Sequence, residues 1–396
     1  MDRRLAVIVV LLVTLFIGFG LIIPVMPVLV QEAGAAVHLG MLLALYSAVS
    51  FFASPLWGRL SDRIGRRPVI LTGLIGFGVS FFLFGYFAES LLMLYVSRIL
   101  GGLFSGAATS CAMAYIADIT SEEDRTKGMA FAGMAIGFGF IIGPAFGGGL
   151  SQWGHTLPFY AAAGLSFVVF LFAYFVLGES LTSEERLRLA DQPKTSRWVA
   201  FAGSLKFLYL LSFVGTFTLA GLESVLQYFQ MAKIGATPMD IGWMMAISGV
   251  VGALVQGGIV RRIKPGQEGS AMTAGLVISA VGLTLLLFSS NFWNATLYVA
   301  LFGAGNAFIR PCVTSLVTRK SSVGHGVSTG LLSSMDSFGR IAGPLIGIFL
   351  FQWDISLPFI IGAVVSLLAI GLIISFHKSS GRPIGEGEPA VKGSSG

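Results

Sequence analysis

The sequence predicts an all-α integral membrane protein, with twelve transmembrane helices in two pseudo-symmetric six-helix bundles. Three observations lead there. First, the 396 residues are 55% hydrophobic and 11% charged, with a mean hydropathy of +0.84, whereas a soluble domain carries about 25% charged residues. Second, the apolar residues fall into twelve runs, near 5–30, 39–57, 69–88, 91–117, 128–150, 157–178, 206–230, 239–260, 271–289, 293–317, 326–351 and 358–376. An α-helix needs about 20 such residues to cross a bilayer core, while barrel strands would be about 10 residues long and alternate in polarity. Third, one stretch occurs twice. GFGFIIGPAFGGGLSQWGHTLPF at 137–159 returns as SFGRIAGPLIGIFLFQWDISLPF at 337–359, so that Gly139, Gly143, Pro144, Gly147, Gln152, Trp153, Leu157, Pro158 and Phe159 recur 200 positions later.

A repeat at a fixed offset means that one architectural unit has been used twice. The divisions that follow are a first bundle at 1–178, a polar linker at 179–205, a second bundle at 206–377 and a Gly/Ser/Pro-rich tail at 378–396 that is expected to be disordered. Function is to be sought where the halves differ. The net charge of +6 raises the question of a polyanion partner, and its distribution answers it. With both termini cytoplasmic, 21 of the 25 Lys and Arg fall on the inner side and only Lys233 on the outer, while Arg98, Arg310 and Arg340 stay inside spans. This is the positive-inside asymmetry of a plasma-membrane protein, with no nucleic acid implied. The first run is too long for a cleavable signal, and Pro24 and Pro27 stand where a small-residue cleavage site would be needed. Cys111 and Cys312 lie inside apolar runs and imply no disulfide framework, and His38, His155, His325 and His377 show no metal-ligand spacing.

Taken in order, the first span carries Gly18, Gly20, Pro24 and Pro27. Proline breaks a helical hydrogen bond, a defect tolerated in a bilayer where protein or a water-lined cavity re-satisfies the backbone. This span is expected to line a cavity, with a bend for packing as the plainer alternative. Between the second and third spans runs GRLSDRIGRRP, Gly58 to Pro68. A positive-inside anchor would explain its arginines but not Asp62 or the spacing of Gly58 and Gly65. This loop resembles the signature loop of the major facilitator superfamily and matches it fully. The resemblance implies that Gly58, Asp62, Arg63, Gly65 and Arg66 form a conformational latch that pairs with neighbouring helix ends and holds the two halves in one state. The second half retains a worn copy, Gly258 to Pro265, that lacks an acid.

Arg98 in the fourth span is a charge near mid-membrane, which normally faces an interior cavity or a partner. It resembles the superfamily's fourth-helix arginine, associated with proton transfer; bonding to carbonyls of the first span is the structural alternative. Leu301 stands opposite it in the second half. In the fifth span, Gly139, Gly143, Pro144, Gly147 and Gly148 give small residues at four-residue spacing, which lets helix backbones approach closely. Packing alone accounts for this, and the pattern is also similar to the superfamily's antiporter motif of exporters. The linker is expected to hold a short amphipathic helix at the membrane surface, with no ligand chemistry.

Glu223 in the seventh span lies 17 residues past Lys206, about 25 Å along a helix. It reads as a proton carrier or as a glutamate near the outer mouth satisfied by water. Across its length the chain is similar to the quinolone and multidrug exporters of Gram-positive bacteria, whose seventh helix carries a glutamate at the matching place. Arg310-Pro311 in the tenth span fits them too, but where they place an aspartate three residues earlier this chain has Ala307, with Asn306 beside it. Asp336 in the eleventh span is the candidate replacement. It is four residues from Arg340 on one helix face, so a local ion pair competes with a proton-coupling role.

The expected function is proton-driven multidrug efflux by alternating access. Glu223, Asp336, Arg98 and Arg310 are the proton-coupling candidates, with the substrate cavity of spans 1, 4, 7 and 10 offering Phe16, Met113, Phe217, Gln227 and Phe308, and Arg340 beside them. Phe and Met surfaces suit large apolar cations, although the same residues also serve as ordinary core or lipid-facing positions. The expected partners are small-molecule substrates, protons and membrane lipid, with the chain acting as a monomer and a proton gradient in place of any cofactor or metal. A proton-coupled carrier for one metabolite, such as a sugar, is the alternative. A membrane-embedded enzyme would need paired acids, a Ser/His set or His-rich ligands inside the spans, and the sequence offers none.

Overall fold

The computed structural model describes residues 3–32, 38–121, 125–182, 201, 203–264, 266–320 and 325–380. The last helix runs through Ser379, into the start of the tail expected at 378–396; the rest of that tail, from 381, and the linker helix expected within 183–200 lie outside the described residues. Everything described is helix or short connection. The first span is broken, Arg3–Ile22 then Met26–Glu32, with the turn at Pro24. The second to sixth are His38–Ile64, Arg66–Tyr86, Leu91–Ile119, Arg125–Leu150 and Leu157–Val176. The seventh to eleventh are Leu205–Ile234, Pro238–Leu254, Glu268–Leu286, Phe292–Lys320 and His325–Trp353. The twelfth runs in two pieces, Leu357–Leu368 and Ile370–Ser379. Among the described residues, eleven helices are long and apolar enough to cross a membrane. The eleventh span does not reach that mark by composition, because serines, Asp336 and Arg340 dilute its first half.

Local chemistry sets the boundaries. Gly65, at φ 105°, makes the tight turn between the second and third spans, and Gly235, at φ 66°, ends the seventh; only glycine takes such φ without strain. Thr237 and Asp240 then form a reciprocal capping box with Pro238 in the first turn, which starts the eighth span. That span ends in a π turn, Val255–Ile259, at the start of the worn loop copy.

The duplicated stretch organises the packing. The fifth span lies along the first, and the eleventh along the seventh. A Cβ added at Gly143 would sit 2.6 Å from Gly20 Cα, and one at Gly343 would sit 2.6 Å from the Phe217 carbonyl oxygen. Backbone therefore touches backbone, as small residues at four-residue spacing permit. The same stretch also builds the seam between halves, where the fifth span meets the eighth and the eleventh meets the second. A Cβ at Gly148 would meet the Pro238 carbonyl oxygen at 2.6 Å, and one at Gly40 the Pro344 carbonyl oxygen at 2.7 Å. Each half thus presents its Gly-Pro helix to both its own first span and the opposite bundle.

This seam is lopsided along the membrane normal. Toward the face opposite the termini, Tyr228 Oη donates to the Pro27 carbonyl at 2.8 Å and Gln152 Nε2 contacts Met239 Sδ, both across the halves. At mid-depth the rings of Phe51 and Phe338 meet at 5.3 Å. Nearer the termini face, a Cβ at Gly133 or Gly137 of the fifth span, or at Gly257 or Gly258 at the end of the eighth, would meet nothing within 4 Å. Arg310, well inside the tenth span, has a side chain 72% exposed. Among the described residues, the contacts between the halves gather toward the far face and thin out toward the termini.

Candidate functional site

The signature loop folds into a charge network. Arg66 Nη1 lies 2.6 Å from Asp62 Oδ1 and Arg66 Nε lies 3.0 Å from Asp118 Oδ2 at the end of the fourth span. The backbone N–H groups of Arg66 and Arg67, exposed donors at the start of the third span, donate to the carboxylate of Glu179 at 2.8 and 3.2 Å. An anion at a helix N-terminus meets both the free N–H groups and the positive end of the dipole. Arg63 is exposed, and an added Cβ at Gly58 would meet open space. As the resemblance implied, the loop pairs with neighbouring helix ends: these bonds tie the second, third and fourth spans and the start of the linker together within one half. The first residue of the linker, Glu179, is the cap of this network, a structural role. Glu179 went unrecognised because capping at a distance of 112 residues leaves no local signal.

Arg98 is 2% exposed. Its guanidinium stands 4.5 Å from the Phe84 ring centre and 5.7 Å from that of Tyr46, with Nε and Nη2 lacking hydrogen-bond partners. Bonding to carbonyls of the first span is not what holds it; two aromatic faces do. Tyr46 joins Phe19, and Phe19 and Phe16 both lie against Phe140 at 5.6 and 5.5 Å, an aromatic wall on the first half's side. Met113 is half-buried on the fourth span.

The second half contributes the acids. Glu223 is partly buried and makes no hydrogen bond or ion pair among the described residues, although the charge of Arg340 acts on it. One turn on, Gln227 is 2% exposed with neither amide atom partnered. Phe217 is half-buried and stacks with Phe213 at 5.7 Å. Phe308, expected in the cavity, is instead 8% exposed and packed over Gly275 of the ninth span.

Asp336 is 9% exposed and collects three donors: Ser212 Oγ at 2.6 Å, Thr216 Oγ1 at 3.1 Å and Arg310 Nη2 at 3.1 Å. The ion pair expected with Arg340 is not formed; Arg310, from the neighbouring span, takes its place. Asn306, beside Ala307 where the companion acid was sought, donates to the Gly215 carbonyl at 3.0 Å. Ser212, Thr216 and Asn306 were missed. The only signal for them was a pair of hydroxyl residues four apart within an apolar run. Together with Arg310, Asp336 and Arg340 they line a polar chamber of about 250 Å³ between the seventh, tenth and eleventh spans. Among the described residues no group of three metal-ligating side chains occurs.

Known proteins share this architecture. The family model of the Major Facilitator Superfamily matches residues 8–328 and again 270–393. Multidrug resistance protein 1 of Bacillus subtilis is 32% identical over 383 residues, covering 95% of this chain and 97% of that one. Multidrug resistance protein 2 of the same organism is also 32% identical, covering 90% and 91%. The quinolone resistance protein NorA of Staphylococcus aureus is 29% identical over 94% of this chain and 96% of its own. Among solved structures, the human organic anion transporter MFSD10 (TETRAN) superposes with a TM-score of 0.71 at 26% identity, covering 94% of this chain and 99% of that one. A bacterial homologue of the human lysosomal transporter Spinster, inward-facing and occupied, does so at 0.72 with 14% identity, over 95% and 96%. With the family model covering most of the length and the twelve helices in their two matched halves, this chain belongs to the major facilitator superfamily.

Proposed function

We propose that the chain is a proton-coupled antiporter that exports amphipathic cationic or zwitterionic compounds across the plasma membrane by alternating access. In this reading both termini are cytoplasmic, as the 21-to-1 distribution of basic residues favours, and the far face is the outside. The observation that carries it is Glu223: a carboxylate on an inner span with no partner among the described residues, four residues from the unpartnered Gln227. An ionisable group held in the membrane without a fixed counter-ion is placed to exchange a proton for a substrate. Asp336 and Arg310 form a second ionisable pair beside it, and Arg98 lies in the opposite half. The aromatic wall of Phe16, Phe19 and Phe140 offers a face for flat apolar cations. The names of the relatives, multidrug and quinolone resistance proteins, support the same class of cargo.

A carrier for one metabolite, such as a sugar, is the second reading, and the polar chamber around Asp336 is what favours it. One experiment separates them. Purified protein in liposomes is given an imposed pH gradient and ethidium, and wild type is compared with Glu223→Gln and Asp336→Asn. Uphill ethidium movement by wild type, reduced at least about tenfold in Glu223→Gln, is the expected result. No drug movement, with Glu223→Gln indistinguishable from wild type, would replace multidrug efflux with the single-metabolite carrier. Loss in Asp336→Asn alone would move the proton site to the eleventh span.

A further inference from the structure

The chamber between the seventh, tenth and eleventh spans does not suit a cation. It holds two guanidinium groups, Arg310 and Arg340, against one carboxylate, Asp336. That carboxylate is already engaged by Ser212, Thr216 and Arg310. Arg310 uses only Nη2 on it at 3.1 Å, and its side chain is otherwise 72% exposed. Arg340 makes no hydrogen bond or ion pair among the described residues and is partly buried. Glu223 is the other acid whose field reaches Arg340, but it does not line the chamber and is not within ion-pair distance of it. Ser337 and Ser333 add hydroxyls one and two helical turns before Arg340.

We infer that this chamber is an anion subsite in which Arg340, assisted by Arg310, binds the carboxylate of anionic or zwitterionic substrates. A guanidinium fork matches a carboxylate's two oxygens and fixes its orientation. A volume of about 250 Å³ admits the carboxylate and the ring bearing it. The inference rests on the efflux reading above and narrows its cargo: a zwitterion would place its acid here, while a plain cation would leave the chamber empty.

Binding of a fluoroquinolone and of its methyl ester to the purified full chain tests this, with ethidium as a probe lacking a carboxylate. Wild type is expected to prefer the acid over the ester by about tenfold or more, the scale of one charge-assisted pair. In Arg340→Gln that preference for acid over ester is expected to vanish, whatever happens to ethidium affinity, since the charge of Arg340 also reaches Glu223. Arg340→Lys, which keeps the charge and loses the fork, is expected to fall between. Equal binding of acid and ester by wild type would overturn the subsite, as would a preference that survives in Arg340→Gln. Failure of the efflux reading is distinguishable, since it appears as absent ethidium transport whatever the acid–ester ratio.

Discussion

Arg98 poses the sharpest question at the scale of one residue, because its burial is not compensated. Among the described residues, two of its nitrogens lack partners and no carboxylate pairs with it, leaving the Phe84 and Tyr46 rings as its support. Cation–π contacts supply roughly 0.5–2 kcal/mol each, less than the several kcal/mol lost when a cation leaves water. A residue kept for packing would not look like this. Arg98→Met, which fills similar volume without charge, is therefore expected to raise the thermal midpoint in detergent by a few degrees while proton-driven transport falls at least tenfold. A lower midpoint would mark the arginine as structural. The identity of such residues was legible in the sequence, since any charge inside an apolar run stands out. Their partners were not. The local rule of four-residue spacing pointed Asp336 at Arg340, yet the pair that forms is with Arg310. That outcome depends on how the tenth and eleventh spans are rotated and staggered, which no within-helix periodicity encodes.

Between elements, the glycines of the duplicated stretch set the distance of approach. Gly143 and Gly20 touch backbone to backbone, so an added methyl has no flexible side chain to displace. Gly143→Ala is expected to push the first and fifth spans apart and cost about 1–3 kcal/mol, the usual penalty for overpacking. Gly137→Ala, on the same helix where an added Cβ meets nothing within 4 Å, should be neutral. Thermal unfolding of the two variants, side by side, checks it. If both are neutral, the spacing pattern does not govern packing here. At this scale the sequence was most informative: twelve runs became twelve spans, the proline break in the first span is real, and the repeat marked the helices that do most of the joining. What it could not carry was the second role of those helices, since Gly148 against Pro238 and Gly40 against Pro344 are contacts between bundles that share no sequence neighbourhood.

For the molecule as a whole, the lopsided seam makes this one of two states, and its bonds measure how firmly it is held. Tyr228 donates across the halves to the Pro27 carbonyl within the broken part of the first span, both groups being buried on the closed far face. Tyr228→Phe removes the donor and costs that carbonyl its second partner only while the far face stays shut; opening lets water take that place. The variant thus penalises one state and spares the other. A lost neutral hydrogen bond is worth about 0.5–1.5 kcal/mol, rising to about 1–3 when its partner stays buried and unsatisfied. The ratio of far-face-open to far-face-closed molecules should accordingly rise between roughly threefold and a hundredfold. Spin-label distances between far-face loops of the first and second halves, for instance from labels at Thr156 and Asn291, would report the shift as growth of the longer-distance population. Unchanged populations would mean that the Gly-Pro contacts alone hold the far face closed, and that Tyr228 only seals it.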